Sequence, residues 1–265
     1  MFEKVMSLES NQSSLKIYYI NLDRSTERRQ RIENALDHYG LFAERIPAVD
    51  GSQLTDVELL SHYDPNKNSS EYFAPLKKSE IACFLSHRKA LQQFVEECSF
   101  DFVLVLEDDA EFVCDPRPLL SSVARSLAGK NSPIIVKLYS VRPISAEVLA
   151  ELSDGFSLTY SKLPPLVTVA QIFNMAGAKR FLESTERFHL PVDVAIQQWW
   201  NFPVQVLTVQ PNLVTHQAGQ VGGSTITSGN RSGPIAKVAR EIFRPLYRLR
   251  VFINSRVQSL NRIPY

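Results

Sequence analysis

The chain has 265 residues, of which 44% are hydrophobic and 22% are charged, so it is long enough for one large α/β domain or two small ones. Its formal net charge is +1, which gives no support to a nucleic-acid partner. No run approaches the ~18 consecutive apolar residues that a membrane-spanning helix needs.

The three cysteines, Cys83, Cys98 and Cys114, show no spacing typical of a metal site and cannot all pair with one another. A reducing cytosol is the expected environment, because disulfides are rare there. Residues 1–14 contain Glu3 and Glu9 but no apolar segment, so we expect no secretory signal. The sequence thus predicts a cytoplasmic location.

Strand-like and helix-like patterns alternate from residue 15 to about residue 210. Predicted strands cover residues 15–20, 42–49, 102–106, 134–138, 166–173 and 204–209. Predicted helices begin at or near Thr26, Thr55, Ser79, Pro116, Ala176 and Val192. The polar segment Asp64–Ser70 is expected to be a surface loop. The alternation predicts one α/β domain, residues 1–234, with a mostly parallel sheet and flanking helices.

The stretch Phe102–Asp109 is the most informative in the chain. Five apolar residues, typical of a strand buried on both faces, lead directly into Glu107, Asp108 and Asp109. In open α/β sheets, ligands bind at the carboxyl ends of the strands. Adjacent carboxylates repel one another unless a cation or hydrogen-bond donors neutralise them, and such oxygen ligands suit Mg²⁺ or Mn²⁺. The alternative is an acidic strand end that faces water.

Asn21, Asp23 and Arg24 follow the first predicted strand. If the strands are parallel, these residues lie at the same sheet edge as the three carboxylates. Polar and cationic groups there could hold the base, ribose or phosphate of a nucleotide. The alternative is a simple polar turn between a strand and a helix.

Other polar residues lie where core residues are expected. Ser86, His87 and Arg88 occur within a predicted helix, and such a combination suggests a site, although a single histidine is more often structural. His216 follows an apolar stretch and is either a third metal ligand or a hydrogen-bonded buried histidine. Asp193 precedes a predicted helix and is either its N-cap or a general base.

Three segments together resemble glycosyltransferase family 25, which includes bacterial lipooligosaccharide galactosyltransferases and collagen galactosyltransferases. They are Tyr19–Arg24 with Arg28, Glu80–His87 and Leu104–Asp109, and Leu190–Asp193 and Val209–Pro211 also match. The resemblance implies a GT-A-like, Rossmann-type fold. It also implies an inverting transfer of a hexose, galactose above all, from a UDP-sugar to a saccharide in lipooligosaccharide or lipopolysaccharide biosynthesis.

The resemblance further implies a metal site. Glu107 and Asp109 would bind Mn²⁺ or Mg²⁺, with His216 as a further ligand, and the ion would stabilise the departing diphosphate. Arg24 or Arg88 would assist electrostatically.

The donor nucleotide and the catalytic base complete the expected site. The predicted donor-binding residues are Asn21, Asp23, Arg24, Ser86, His87 and Arg88. A carboxylate near the acceptor hydroxyl must take its proton during the attack on the anomeric carbon. Asp193 is the predicted base, with Asp108 and Glu80 as alternatives.

Two alternative functions fit parts of the sequence. A nucleotidyltransferase also joins an α/β fold to acid-bound Mg²⁺, but residues 21–25 contain no glycine where its phosphate loop is expected. A non-catalytic sugar-binding protein at a membrane surface would keep the fold without turnover. The intact run of three carboxylates argues against this second alternative.

Residues 235–265 form a basic tail, with Lys237 and six arginines against the single acid Glu241. Apolar residues recur in it at helical intervals, namely Ile235, Val238, Ile242, Leu246, Leu249 and Ile253. The pattern predicts an amphipathic helix that binds an anionic membrane surface, which suits a lipid-linked acceptor at the inner membrane face. The alternative is a helix packed against the body. Pro245 predicts a kink or two shorter helices, and a glycine-rich linker at residues 219–229 precedes the tail.

Overall fold

The computed structural model describes residues 14–142, 144–216 and 234–259, with side chains of the last range described from residue 244 onward. The glycine-rich linker predicted at residues 219–229 lies outside these ranges. The strands are β1 (Leu15–Asn21), β2 (Glu44–Pro47), β3 (Phe102–Glu107), β4 (Ala110–Phe112), β5 (Ile134–Lys137), β6 (Glu147–Glu151), β7 (Ser157–Tyr160), β8 (Ala170–Asn174), β9 (Gln205–Gln210) and β10 (Val214–His216). The helices are α1 (Thr26–His38), α2 (Asp56–His62), α3 (Pro65–Glu71), α4 (Lys78–Glu97), α5 (Arg117–Leu127), α6 (Met175–Ser184), α7 (Val192–Gln197) and α8 (Pro234–Gln258).

Eight strands form one sheet in the order β2-β1-β3-β8-β5-β9-β7-β6. Six of them run in one direction, and β7 and β8 run against them. Strands β4 and β10 pair as a separate antiparallel ribbon. The prediction of an α/β domain with a mostly parallel sheet and flanking helices is therefore confirmed.

The sheet lies between two layers of helices. Along β3, Leu104 and Leu106 pack with α1 and α5 on one face of the sheet. Val103 and Val105 pack with α4, α6 and α7 on the other face. This alternation follows from the two-residue period of a strand, and all four side chains are fully buried. Strand β3 is buried on both faces, as its apolar sequence predicts.

Helix α3 replaces the predicted surface loop, so that prediction is wrong. Asp64 caps the helix by accepting a hydrogen bond from a backbone N–H of its first turn, and Pro65 occupies the first position. The amide of Asn68 is buried and donates to the carbonyl of His189 at 2.7 Å. This contact between residues 121 positions apart stabilises the helix and leaves no local signal in the sequence.

Two other boundaries differ from the prediction. The N-cap of α4 is Lys77 rather than Ser79, because Glu80 accepts a hydrogen bond from the backbone N–H of Lys77 at 2.7 Å. The strand predicted at residues 166–173 begins only at Ala170, the first residue of β8. The backbone of Val167 is left-handed, with φ of 71°, and interrupts the extended chain before that point. Strands β4, β6, β7 and β10 were not predicted because they have three to five residues and little apolar periodicity.

The tail is one helix, α8, that continues through Pro245. Of the two predicted outcomes, a kink or two shorter helices, the second is therefore wrong. Its inner face contacts the body. The hydroxyl of Tyr247 accepts a hydrogen bond from Nε2 of Gln198 at 2.8 Å, and Arg250 donates to the carbonyl of Glu71 at 2.5 Å. These contacts hold the turns that follow the proline.

The outer face of α8 leaves part of the predicted apolar stripe uncovered. Leu246, Leu249 and Ile253 are 57%, 55% and 50% exposed. The helix thus combines a face that packs on the body with an exposed apolar face. Within the described ranges, the structure contains no helix with the length and hydropathy needed to cross a membrane.

Candidate active site

A cleft of about 680 Å³ opens at the carboxyl ends of β1 and β3. It is bounded by the first turns of α4 and by the turn at residues 50–52. The predicted site residues that line it are Asn21, Arg24, Ser86, His87, Glu107, Asp108 and Asp109. Because Ile20 is in register with Glu107 in a parallel ladder, the polar ends of the two strands lie side by side.

Arg28 and Asn21 neutralise part of the acidic cluster. Nη2 of Arg28 lies 2.6 Å from Oδ1 of Asp108 and 3.0 Å from Oδ2 of Asp109. Nδ2 of Asn21 donates to the other oxygen of Asp108 at 2.6 Å. Burial raises the pKa of Asp108, and both partners oppose that rise. Both oxygens of Asp108 are thus engaged and anchor the cluster, while its predicted role as an alternative base stays a prediction.

Glu107 contacts a different pair of side chains. Nε2 of His87 lies 3.2 Å from Oε1 of Glu107, and the hydroxyl of Thr168 donates a short hydrogen bond to the same oxygen. Burial alone would raise the pKa of Glu107, but the hydrogen bonds from His87 and Thr168 lower it. Glu107 is thereby held as a carboxylate at the floor of the cleft.

Asp109 has a strongly perturbed carboxyl group. Burial, followed by repulsion from Glu107, raises the pKa of Asp109 to about 6. Its Oδ1 is buried and has no hydrogen-bond partner in the described part of the chain. A divalent cation would stabilise an unsatisfied oxygen in this environment. Glu107 and Asp109 therefore fit the predicted role of ligands for a hard ion such as Mn²⁺ or Mg²⁺.

A second set of potential ligands overlaps with the first. The ligand atoms of Cys83, His87 and Glu107 all lie within 4.8 Å of one another. Burial raises the pKa of the Cys83 thiol well above its usual range. The sequence patterns did not single out Cys83, because no second cysteine stands at metal-binding spacing from it.

His216 lies on β10, where it pairs with Ala110 beside the acidic cluster. Its ring packs edge-to-face on Tyr139, with centroids 5.2 Å apart. Its Nδ1 is buried without a partner among the residues that the structure describes. Because His216 does not line the cleft, its role as a metal ligand stays a prediction.

The rim of the cleft carries cationic side chains. Arg24 forms an ion pair with Asp50, and Lys77 and Lys78 line the cleft at the start of α4. A helix N-terminus favours anions, because its first N–H groups lack intrahelical partners. Gly51 packs closely against this helix start: a Cβ there would lie 2.7 Å from the carbonyl oxygen of Lys78. The rim is therefore suited to phosphate groups.

Three predicted site residues are engaged outside the cleft lining. Asp23 is exposed and forms an ion pair with Arg45 at 2.5 Å. The guanidinium of Arg88 donates to the carbonyl of Leu182 at 2.8 Å, which joins α4 to α6. Glu80 closes the first turn of α4 through its hydrogen bond to the helix N-cap. All three side chains thus make contacts within the fold outside the cleft lining, and their predicted donor-binding and base roles stay predictions.

Ser86 lines the cleft, yet its hydroxyl is buried and engaged by the fold. It donates to the carbonyl of Ala82 at 2.7 Å and accepts from the backbone N–H of Val49 at 2.9 Å. These bonds join α4 to the segment after β2. Ser86 therefore shapes the cleft wall.

Asp193 is the second residue of α7, whose N-cap is Pro191, so the predicted N-cap position is wrong. Its Oδ1 accepts a hydrogen bond from the next backbone N–H at 2.8 Å, and its Oδ2 accepts one from Val167 at 3.3 Å. Val167 precedes Thr168, whose hydroxyl contacts Glu107. Asp193 does not line the cleft, but one dipeptide links it to the cleft floor.

Lys137 supports the same dipeptide and was missed by the sequence analysis. Its buried Nζ donates to the carbonyls of Pro165 at 2.7 Å and Val167 at 2.6 Å. Burial lowers the pKa of Lys137 to about 8. The signal available in the sequence was a single lysine at the end of an otherwise apolar strand.

An α/β sheet with buried carboxylates in a cleft at its carboxyl edge is typical of proteins that bind a nucleotide and a divalent ion. Comparison with protein families is more specific. Residues 14–196 match the family described as "Glycosyltransferase family 25 (LPS biosynthesis protein)". Because this match covers more than half of the chain, the chain belongs to glycosyltransferase family 25.

Relatives of this chain carry the same family name. A glycosyltransferase 25 family member of Anopheles gambiae is 40% identical over 99 residues, which are 36% of this chain and 17% of that protein. Procollagen galactosyltransferase 2 of Homo sapiens is 32% identical over 105 residues, 37% of this chain and 16% of that protein. A probable inactive glycosyltransferase 25 family member 3 of Bos taurus is 27% identical over 231 residues, 77% of this chain and 37% of that protein.

The chain thus spans well under half the length of these relatives. Among solved structures, a glycosyltransferase involved in the glycosylation of the major capsid of PBCV-1 gives a TM-score of 0.43 at 10% sequence identity. That comparison covers 87% of this chain and 98% of the chain of that glycosyltransferase. The family match confirms the resemblance that the sequence motifs predict.

Proposed function

We propose that the chain is an inverting glycosyltransferase that moves a hexosyl group, galactosyl above all, from a UDP-sugar to a hydroxyl group of a saccharide. The observation that carries the proposal is the cleft in which Glu107, Asp109 and Arg28 meet beside the start of α4. Family membership supports glycosyl transfer. The name of the human relative, a procollagen galactosyltransferase, supports galactose.

The cleft suits the diphosphate of a nucleotide sugar. Arg24 and Arg28 supply positive charge, and the start of α4, whose helix dipole favours anions, lines the cleft beside them. A volume of about 680 Å³ lies within the usual range of small-molecule sites. Asn21 and His87 complete the proposed donor pocket at its floor.

The proposed reaction assigns one step to each group. A divalent ion bound to Glu107 and Asp109 would supply Lewis-acid stabilisation of the departing diphosphate. Arg28 holds the carboxylates of Asp108 and Asp109 in place and adds positive charge beside the leaving group. Asp193 takes the proton of the acceptor hydroxyl as that oxygen attacks the anomeric carbon from the face opposite the diphosphate, which inverts the configuration.

Asp109→Asn tests the metal role. The variant should lose most transfer, because a neutral amide is a weaker ligand than a carboxylate. At subsaturating Mn²⁺, activity of the native chain should also fall as the pH drops below about 6, because protons then compete with the ion for the carboxylate of Asp109. Product formation from a panel of UDP-sugars with Mn²⁺ or Mg²⁺ measures both effects, and Asp37→Asn on α1 is the matched control. Transfer that continues at full rate after complete chelation would contradict the proposal.

Asp193→Asn tests the base. The asparagine keeps an oxygen that can accept the N–H of Val167, so the fold and donor binding should be retained. Transfer should fall by about 10²-fold or more, the usual contribution of a positioned base. Thermal stabilisation by UDP-sugars measures donor binding, and single-turnover rates measure transfer. Near-normal transfer would leave Asp193 only its role at the start of α7.

A non-catalytic sugar-binding protein is the second candidate. The name of the bovine relative, a probable inactive family member, gives this candidate a specific basis. Thermal stabilisation by a UDP-sugar without turnover across the whole panel would favour it. Nucleotidyl transfer gains no support from the family match.

The proposed acceptor is a lipid-linked saccharide of lipooligosaccharide or lipopolysaccharide at the inner, cytoplasmic face of a membrane. The family description, which names LPS biosynthesis, supports this acceptor. The exposed apolar face of α8, with the exposed arginines Arg248 and Arg256 on the same helix, supports membrane contact. Each basic side chain near anionic lipid contributes about 1 kcal/mol.

A further inference from the structure

Three different kinds of metal ligand converge at the floor of the cleft. Cys83 and His87 lie four residues apart on one face of α4, and Glu107 ends β3. Their ligand atoms all lie within 4.8 Å of one another, and Nε2 of His87 lies 3.2 Å from Oε1 of Glu107. We propose that these three side chains bind Zn²⁺, and that bound Zn²⁺ inhibits glycosyl transfer because it withdraws Glu107 from the hard ion.

The chemistry of the ligands separates this site from the pair Glu107 and Asp109. A thiolate and an imidazole favour Zn²⁺, whereas Mg²⁺ and Mn²⁺ prefer oxygen ligands. With bonds of roughly 2.0–2.3 Å, ligand atoms around a tetrahedral zinc ion stand ~3.5 Å apart. The atoms of Cys83, His87 and Glu107 need to approach one another by at most about 1.3 Å to reach that spacing. Side-chain rotation supplies a movement of this size.

Glu107 belongs to both ligand sets, and the proposed inhibition requires that zinc and the hard ion compete for it. Arg28 pairs with Asp108 and Asp109, whereas the Oε1 atom of Glu107 contacts His87 and Thr168. Zinc bound at Cys83 would take the place of the contact between His87 and Glu107. The inhibition rests on the proposed function, but the binding of zinc does not.

Titration of the metal-free full chain with Co²⁺ tests the binding. Tetrahedral Co²⁺ with a thiolate ligand has a charge-transfer band in the near ultraviolet and intense bands in the visible. The native chain should develop both sets of bands, and added Zn²⁺ should remove them. Cys83→Ser should lose the near-ultraviolet band, whereas Cys98→Ser, at an exposed cysteine, should retain it.

Circular dichroism of each variant checks that it is folded, and His87→Gln provides a second variant that should lose the visible bands. Absence of the near-ultraviolet band in the native chain would overturn the proposal. Persistence of the near-ultraviolet band in folded Cys83→Ser would also overturn the proposal.

Inhibition of transfer tests the consequence. Relative to each protein's own uninhibited rate, half-inhibition should need at least about tenfold more Zn²⁺ in Cys83→Ser than in the native chain. Excess Mn²⁺ should relieve the inhibition. Equal sensitivity of the two proteins would refute the inhibitory role. If no UDP-sugar is turned over, the proposed function fails, while the cobalt spectra still decide the metal site.

Discussion

Lys137 is a buried cation whose two hydrogen bonds support the segment between Asp193 and Glu107. Its pKa is lowered from 10.5 to about 8 by burial. Between these values the unfolded chain binds more protons than the folded chain, so the free energy of unfolding increases with pH. We expect the native chain to gain stability relative to Lys137→Met as the pH rises from about 8 to about 10.

Urea unfolding at a series of pH values measures this difference. Lys179→Met, an exposed lysine on α6, should show no such pH dependence. Lys137→Met should also reduce transfer. The carbonyls of Pro165 and Val167 lose their hydrogen-bond donor, which costs about 1–3 kcal/mol for each carbonyl. The backbone of Val167 should then shift, and its N–H would no longer orient Asp193. If the difference in the free energy of unfolding between the native chain and Lys137→Met stays constant with pH, the lowered pKa of Lys137 is contradicted.

The turn at Gly51 packs closely against the first turn of α4, and both segments line the cleft. A Cβ on Gly51 would lie 2.7 Å from the carbonyl oxygen of Lys78 and 3.1 Å from the backbone nitrogen of Ser79. Gly51→Ala must therefore displace the helix start. We expect a loss of about 1–3 kcal/mol in the free energy of unfolding, typical of overpacking, and a raised KM for the donor.

Gly129→Ala is the matched control for this element. Gly129 has φ of +74° and open space around it, so alanine there is strained but does not touch the cleft. The control should lower stability while the donor KM stays unchanged. An unchanged donor KM in Gly51→Ala would show that this contact does not shape the donor site.

At the scale of the whole molecule, the side chains of α8 that the structure describes, from residue 244 onward, add little to the two cores on either side of the sheet. Tyr247 and Arg250 hydrogen-bond to the body and Val251 is buried, while Leu249 and Ile253 are exposed. A truncation after residue 233 should therefore stay folded, lose a few degrees in Tm, and keep transfer to soluble acceptors. It should no longer sediment with anionic vesicles, which a sedimentation assay measures.

Substitutions on the exposed face of α8 distinguish membrane contact from packing of the helix against the body. The double change Leu249→Ser with Ile253→Ser should weaken vesicle binding and leave Tm almost unchanged, because both side chains are exposed. Leu60→Ser is the control, since Leu60 is similarly exposed, at 55%, but belongs to α2 and not to the tail. Vesicle binding by the truncated chain at the native level would refute the membrane role, and its unfolding would assign α8 to the core.

The sequence alone determined the features whose signal is local. The helix predicted to begin at Thr55 does so, because its capping box with Glu58 joins residues only three positions apart. The apolar run of β3 and its acidic end were predictable because burial on both faces requires continuous apolar residues. The motifs also located much of the cleft lining, because Asn21, Arg24 and the acidic run at residues 107–109 lie at or directly after strand ends.

Only the tertiary structure decided which side chains meet. Asn21 and Asp108 are 87 positions apart, and their contact depends on β1 lying next to β3. His87 and Arg88 are neighbours in sequence, yet one contacts Glu107 and the other contacts Leu182. Successive residues of a helix point about 100° apart, so the packing of α4 between the sheet and α6 assigns them different partners. Local pattern does not encode that packing, because it arises from contacts between elements distant in the chain.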